Sequence, residues 1–327
     1  MKIEDVIQPP TGLSSGRFFR TGYLPTYAAA VFLLVLLWAG APGKHADFGH
    51  AWQVASKFGV AQTLLVALAV ALVAVLLQPL QLPIVRVLEG SFPKWLGSGI
   101  GRRWQLGRKH GLEGRLIAKI GEAAGKAADE RAAVVQEAGA LSARLRSRFP
   151  MLDPLVRATG LGNALAAMED SAGTPYGLDA VVTWPRLYPL LGDKVRAVVD
   201  DLRDGMDAAA RLSATGAVTA VVAAGLLAWH SGLFTLLALV PLTIAVIGYL
   251  GAVHAAMAYG EAVQVAFDLH RFDLLAALHV EIPAGPGKEL SWNTALSDFL
   301  RQGVPLPFEY AVPAPSTGSG TSEGTKH

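Results

Sequence analysis

The sequence predicts an all-α membrane protein, with four transmembrane helices in two hairpins and a helical cytosolic domain inserted between them. Three observations carry that expectation. The 327 residues are 52% apolar and only 17% charged, and the mean hydropathy is +0.39, a balance foreign to ordinary soluble enzymes. Two long apolar stretches, 23–85 and 212–253, flank the segment 86–211, which is dense in charge and helical in its spacing. There is no cysteine, which excludes disulfides, cysteine-zinc sites and thiol nucleophiles together.

Residues 1–22 read as a polar cytosolic segment, with Arg17 and Arg20 ahead of the first apolar run at 24–41. Tyr23, Tyr27 and Trp38 sit at the ends of that run, as interfacial aromatics do. Ala39-Gly40-Ala41 has the small-x-small form of a signal-peptide cleavage point, but Pro42 follows it and the run is long, so a retained span is expected. The second span covers 58–77, uncharged for about the 20 residues that a bilayer crossing requires. Pro79 and Pro83 then predict a kink or a stop. Arg86, Lys94, Arg102 and Arg103 follow, whereas the loop 42–57 carries only Lys44 and Lys57 against Asp47. The positive-inside rule puts the segment from Arg86 onward in the cytosol of a cell whose inner or plasma membrane holds the spans.

The inserted domain is electrically lopsided. Residues 86–148 hold 13 Lys/Arg against 6 Asp/Glu, a balance of +7, and 149–211 hold 6 against 9, a balance of −3. From 102 to 148 an apolar stripe of Leu116, Ile120, Ala123, Ala127, Val134, Ala138, Leu141 and Leu145 predicts an antiparallel helical hairpin. Gly107, Gly111, Gly114, Gly121 and Gly125 predict breaks or close helix contacts in its first half. The basic face suits anionic lipid headgroups better than nucleic acid, which is not expected as a partner.

Gly160 and Gly162 permit a tight turn, and Asn163 is placed to cap the Ala-rich helix after it. The rival reading is an anion site at a helix N-terminus. It is weaker, since no strand precedes the turn and the third glycine of a dinucleotide fingerprint is absent. Asp179 is a second cap candidate, and Trp184, Arg186 and Tyr188 form an aromatic-arginine cluster that serves either partner contact or internal packing. Asp200, Asp204 and Asp207 share a helix face, and i,i+4 pairing with Arg196 and Arg203 accounts for them without a metal. The buried side of that helix is expected to be Val195, Val198, Val199, Leu202, Met206 and Ala209.

These words, Leu161-Gly162-Asn163, Tyr176-Gly177-Leu178-Asp179, Trp184-Pro185-Arg186-Leu187 and Arg271-Phe272-Asp273-Leu274-Leu275, resemble an uncharacterised family of bacterial, largely actinobacterial, multi-pass integral membrane proteins. The resemblance covers about 80–283 and implies the architecture but no reaction. It also implies a basic residue ahead of the Leu-Gly-Asn triplet, where this chain has Gly160.

From 212 to 260 there are 49 positions without Asp, Glu, Lys or Arg, enough for two crossings turned at His230-Ser231-Gly232 beside Trp229. Gly216, Ala220 and Ala224 give the third span a small-residue face for close helix contact. Beyond the fourth span a polar line of His254, Glu261, Gln264, Asp268 and Arg271 runs at spacings of 7, 3, 4 and 3. It is read as the wet face of an emerging helix, with an ion pathway through His254, Glu261 and Asp268 as the alternative. On that alternative, conduction depends on Glu261, and His254 lends it a pH response. The extension 254–312 ends in a short amphipathic helix whose apolar side is Trp292, Leu296, Phe299 and Leu300, docked on the domain or lying on the membrane. The tail 313–327 is Pro, Ser, Thr and Gly, a disordered composition.

No Walker loop, zinc-protease motif or nucleophile elbow occurs, so no catalytic residue, metal ligand or cofactor is assigned. The expected function is a membrane-anchored interaction or regulatory protein. Its partners are the lipid bilayer, a cytosolic protein and further copies in a homo-oligomer. The alternative is an oligomeric ion channel or transporter.

Overall fold

The structure is a computed structural model that describes residues 24–41, 43, 46–90, 97–228 and 232–307, with the backbone alone at 74–84 and 128–129. The expected N-terminal segment, the Trp229–His230–Ser231 turn and the tail 313–327 lie outside the described residues. Every regular element within them is a helix. In chain order these are α1 (Leu24–Trp38), α2 (Phe48–Ser56), α3 (Val60–Leu88), α4 (Ser98–Ala124), α5 (Ala128–Arg148), α6 (Gly160–Ser171), α7 (Ala180–Leu187), α8 (Asp193–Leu227), α9 (Leu239–Ala277) and α10 (Pro286–Gln302). Short 3-10 turns at Asp153–Leu155, Thr174–Tyr176, Tyr188–Leu190 and Gly232–Ala238 join some of them.

The pair α8 and α9 is the spine. At about 1.5 Å per residue the two helices are roughly 52 and 58 Å long, well beyond the ~30 Å of a bilayer core. Each is apolar in one part and charged in the other, because the charge-free run 212–260 occupies the end of α8 and the start of α9. Among the described residues these are the two helices long and apolar enough to cross a membrane. Val221, Ile247 and Leu250 are each more than half exposed on them, which in water would waste hydrophobic surface and against lipid does not. This is a helical membrane protein.

The two helices touch through glycine. A Cβ on Gly216 would lie 2.9 Å from the Ala245 nitrogen and from the Pro241 oxygen, and one on Gly248 would lie 2.9 Å from the Ser213 nitrogen. Gly216 and Ala220 are buried there, and Ala224 packs beside Leu36 of α1 and Leu227. The small-residue face therefore closes a contact within one chain.

The first hairpin departs from expectation in detail. The loop 42–57 contains α2, capped by Asp47, whose Oδ1 accepts from the backbone N–H of Gly49 at 2.8 Å and of His50 at 3.2 Å. Together α2 and Val60–Val73 are apolar enough for a span but are bent by 118°, and the 15-residue α1 is short of the usual crossing length. Pro79 and Pro83 do not end α3, which runs on to Leu88. Four residues apart, they lose their donors on one side of the helix, which leaves the remaining backbone bonds to hold it. Both α1 and α3 pack on α8.

The charged part begins with α4 and α5, an antiparallel arm turned at 125–127. Ala123, Val134 and Ala138 are buried in its seam, while Ile120 of the expected stripe is 56% exposed. The glycines neither break α4 nor make close contacts, since a Cβ at Gly107, Gly111, Gly114 or Gly121 would meet nothing within 4 Å. Gly114→Ala is therefore expected to raise stability by up to about 1 kcal/mol, seen as a higher unfolding midpoint in detergent. Val198 is also exposed rather than buried, and Asp200 takes its partner from off its own helix. It accepts a hydrogen bond from the Tyr188 hydroxyl at 2.7 Å, while Arg196 donates to the Pro189 carbonyl at 2.7 Å.

The root of the arm is latched by the strap 149–158. Lys109, 2% exposed, donates to the Met151 carbonyl at 2.6 Å and to Asp153 Oδ1 at 2.7 Å, and His110 Nε2 lies 3.0 Å from Asp153 Oδ2. Hydrogen bonds from Lys109 and His110 hold the Asp153 carboxyl below its usual range. A folded-state pKa below the unfolded one contributes stability that is present above the unfolded value, about 3.9, and lost as pH falls through the folded value. The gap in unfolding midpoint between the wild type and Asp153→Asn is thus expected to be full at neutral pH and to close in acid. A gap that does not change with pH would show that the latch carries no charge.

Candidate functional site

Three of the four motif words converge on one joint in the charged part, around the buried core of Phe267, Leu178, Leu187, Val199, Val263 and Leu296. Tyr176 donates its hydroxyl to Asp268 Oδ1 at 2.8 Å. Gly177 has φ +80°, and a side chain there would run into the Leu290 carbonyl of α10. Asp179 caps α7 by accepting from the Val181 N–H at 2.9 Å and is ion-paired with Arg301. Trp184 lies 6.0 Å from Phe267 and 5.9 Å from Tyr188, ring to ring. The hydrogen bond to Asp200 holds the Tyr188 hydroxyl above the usual phenol range. Trp184 and Tyr188 are thus engaged inside the molecule, and Arg186 is the exposed member of the cluster, donating to the Val182 carbonyl at 2.6 Å.

Gly160, Gly162 and Asn163 form a second joint, where α6 meets the end of α3 and the middle of α9. The cap is Thr159, whose Oγ1 accepts from the Gly162 N–H at 3.1 Å, and Asn163 is not the cap. Asn163 is fully buried, accepting from the Arg157 N–H at 2.7 Å and donating to the Arg157 carbonyl at 3.1 Å. Tyr249 of α9 takes the N–H groups of Gly160 and Leu161 at 2.8 and 3.4 Å, and Thr159 carbonyl takes that of Asn163 at 3.0 Å. The first turn of α6 has its donors satisfied, so the N-terminus has nothing to offer an anion. Gly162 is needed because the Glu89 carbonyl sits where a Cβ would be. Burial there pushes the Glu89 carboxyl up, and Arg157 pulls it back only in part.

The polar line on α9 divides. Asp268 and Arg271 belong to the first joint, where Arg271 Nε donates to Glu289 Oε1 at 2.7 Å and its guanidinium lies 4.1 Å from the Tyr176 ring centre. His254, whose Nδ1 is 2.7 Å from the Leu250 carbonyl, and Glu261 are exposed and border a groove of about 880 Å³ between α5, α6 and α9. Arg144, Arg146 and Arg148 line its other wall. The amphipathic α10 docks on the core through Leu296, Trp292, Phe299 and Leu300.

Two features take their meaning only from the structure. The groove is assembled from three helices distant in the chain, so no local signal shows it. The other is the glycine series of α4: with Ala118 added, Gly107, Gly111, Gly114 and Gly121 recur at spacings of 4, 3, 4 and 3, and all are exposed along one unbroken helix. Ile100 and Trp104, 76% and 61% exposed, continue that stripe toward the root of the arm. Among the described residues no three His, Asp or Glu side chains gather as a metal site would require. No protein-family model, no curated protein and no solved structure matches the chain.

Proposed function

We propose that the protein is a membrane-anchored interaction module whose α4–α5 arm receives a helix of a cytosolic partner. In this reading the hairpins 23–85 and 212–253 supply four spans, and both chain ends and the domain 86–211 lie in the cytosol. The resemblance to actinobacterial membrane proteins belongs to the same proposal. One observation carries it, the uncovered seam of Gly107, Gly111, Gly114, Ala118 and Gly121. An interior helix glycine costs about 1 kcal/mol against alanine, and these four stabilise nothing within the chain. A partner helix laid along them gains close backbone approach, the use to which Gly216 and Gly248 are put between α8 and α9. Ile100 and Trp104 offer that helix an apolar anchor at the root.

The supports for a channel are weaker. The small face of α8 is taken up inside the chain, and Asp268 is held by Tyr176. The proposal is tested by affinity recovery from native membranes in mild detergent. Gly111→Leu with Gly114→Leu is expected to lose a protein that wild type retains, with the unfolding midpoint kept or raised. Retention of the same protein by this variant would refute the arm as its docking site. Recovery of nothing but further copies of the chain would replace the cytosolic partner by self-association.

A further inference from the structure

The groove between α5, α6 and α9 holds a charge imbalance that the fold does not resolve. Arg144, Arg146 and Arg148 line it, and among the described residues Glu261 is the one carboxylate on its wall. None of the three arginines has an ion pair among the described residues, although arginines elsewhere do, such as Arg157 with Glu169 at 2.6 Å. Arg148 is half-buried, and its Nε is buried without a hydrogen-bond partner. Burial, with the neighbouring charges of Arg144 and Arg108, holds its pKa below the usual guanidinium value, so the side chain stays a cation short of counter-charge.

The rest of the wall is apolar and soft. Met151, Met168 and Met257 line it, three of the five methionines in the chain. Unbranched thioethers adapt to an irregular flexible chain better than branched side chains do. Its level matters too. On α9 the groove begins at His254 and Met257, inside the charge-free run 212–260, and ends at Glu261 and Gln264 just beyond it. That is the height at which lipid headgroups meet a membrane helix.

We propose that this groove binds one acidic phospholipid, its phosphate held by Arg144, Arg146 and Arg148 and its acyl chains laid over Met151, Met168 and Met257. Guanidinium forks match phosphate oxygens in pairs, which fixes the headgroup, and the methionine floor discriminates a lipid from a soluble phosphate. The volume of about 880 Å³ suits a headgroup and the first part of its chains. The groove uses the α5 side of the arm and does not depend on the partner helix proposed for α4.

The test uses the full chain in mild detergent, with binding followed by native mass spectrometry and by the unfolding midpoint. The probes are phosphatidylglycerol, phosphatidylcholine of the same acyl chains, glycerol phosphate and inorganic phosphate. Wild type is expected to prefer phosphatidylglycerol over phosphatidylcholine by about tenfold or more. Arg144→Gln with Arg148→Gln should abolish that preference. Because Arg148 is half-buried, Arg144→Gln with Arg146→Gln, both exposed, decides the matter should the first variant unfold. Arg103→Gln with Arg115→Gln, on α4 and outside the groove, should keep the preference. An equal preference in the groove variants, or none in wild type, overturns the proposal. Glycerol phosphate or inorganic phosphate protecting as well as the lipid would overturn it in favour of a free-phosphate site.

Discussion

Gly162→Val is expected to leave little folded protein, with stability reduced by about 3 kcal/mol or more. A Cβ at this position would overlap the Glu89 carbonyl oxygen and come within 2.9 Å of Thr159 Oγ1. Neither can yield easily. The first is backbone at the end of α3, and the second is the cap of α6, already engaged with the Gly162 N–H. The substitution therefore forces α6 off α3, which also pulls Gly160 and Leu161 from Tyr249. Thermal unfolding in detergent reads the effect, with Gly114→Ala as a comparison expected to move the other way. An unchanged midpoint for Gly162→Val would mean that α3 and α6 do not meet as described.

Arg271→Ala carries the second large effect, a loss of about 2–3 kcal/mol. Its side chain is 19% exposed and that of its partner Glu289 only 11%, so removal leaves a carboxylate of α10 with little water and no cation. The guanidinium also sits 4.1 Å from the Tyr176 ring centre and 4.3 Å from that of Phe272, contacts that planar stacking supplies and an ammonium does not. Arg271→Lys should therefore recover only part of the loss. Arg271→Ala combined with Glu289→Ala should cost less than the two single effects added, because the second change removes the stranded charge. Full additivity would show that the two side chains do not interact. Protease cleavage ahead of α10 should accelerate in Arg271→Ala, since the pair ties that helix to α9.

What could be read from the sequence was whatever repeats at short range. The charge-free run 212–260 marks the membrane portion of α8 and α9, and the stripe through Ala123, Val134 and Ala138 marks the arm. Asp179 as a cap follows from its place ahead of an apolar helix. The errors share a cause, which is that local propensity was allowed to decide where a distant neighbour did. Asn163 looks like a cap, but Thr159 lies one residue before the helix, and burial turns the Asn163 amide to the Arg157 backbone. The aromatic-arginine cluster leaves partner contact and internal packing both open until Phe267, more than 80 residues away, takes up Trp184. The basic composition of 86–148 pointed to anionic headgroups, but only the arrival of α6 and α9 beside α5 makes a groove of Arg144, Arg146 and Arg148. Glycines in α4 predict breakage by propensity, yet the arm holds them in one helix because Lys119 binds Glu137 at 2.8 Å and Val134 and Ala138 pack beneath.

The charged part is proposed to lie on the cytosolic side of the membrane, and thiol labelling tests that placement most directly. The chain has no cysteine of its own, so each engineered one is a clean reporter. His50 lies exposed on α2, and Glu130 lies exposed near the tip of the arm. In intact cells an impermeant thiol reagent is expected to modify His50→Cys and to spare Glu130→Cys until the membrane is opened. Modification of Glu130→Cys in intact cells, with His50→Cys protected, would contradict it.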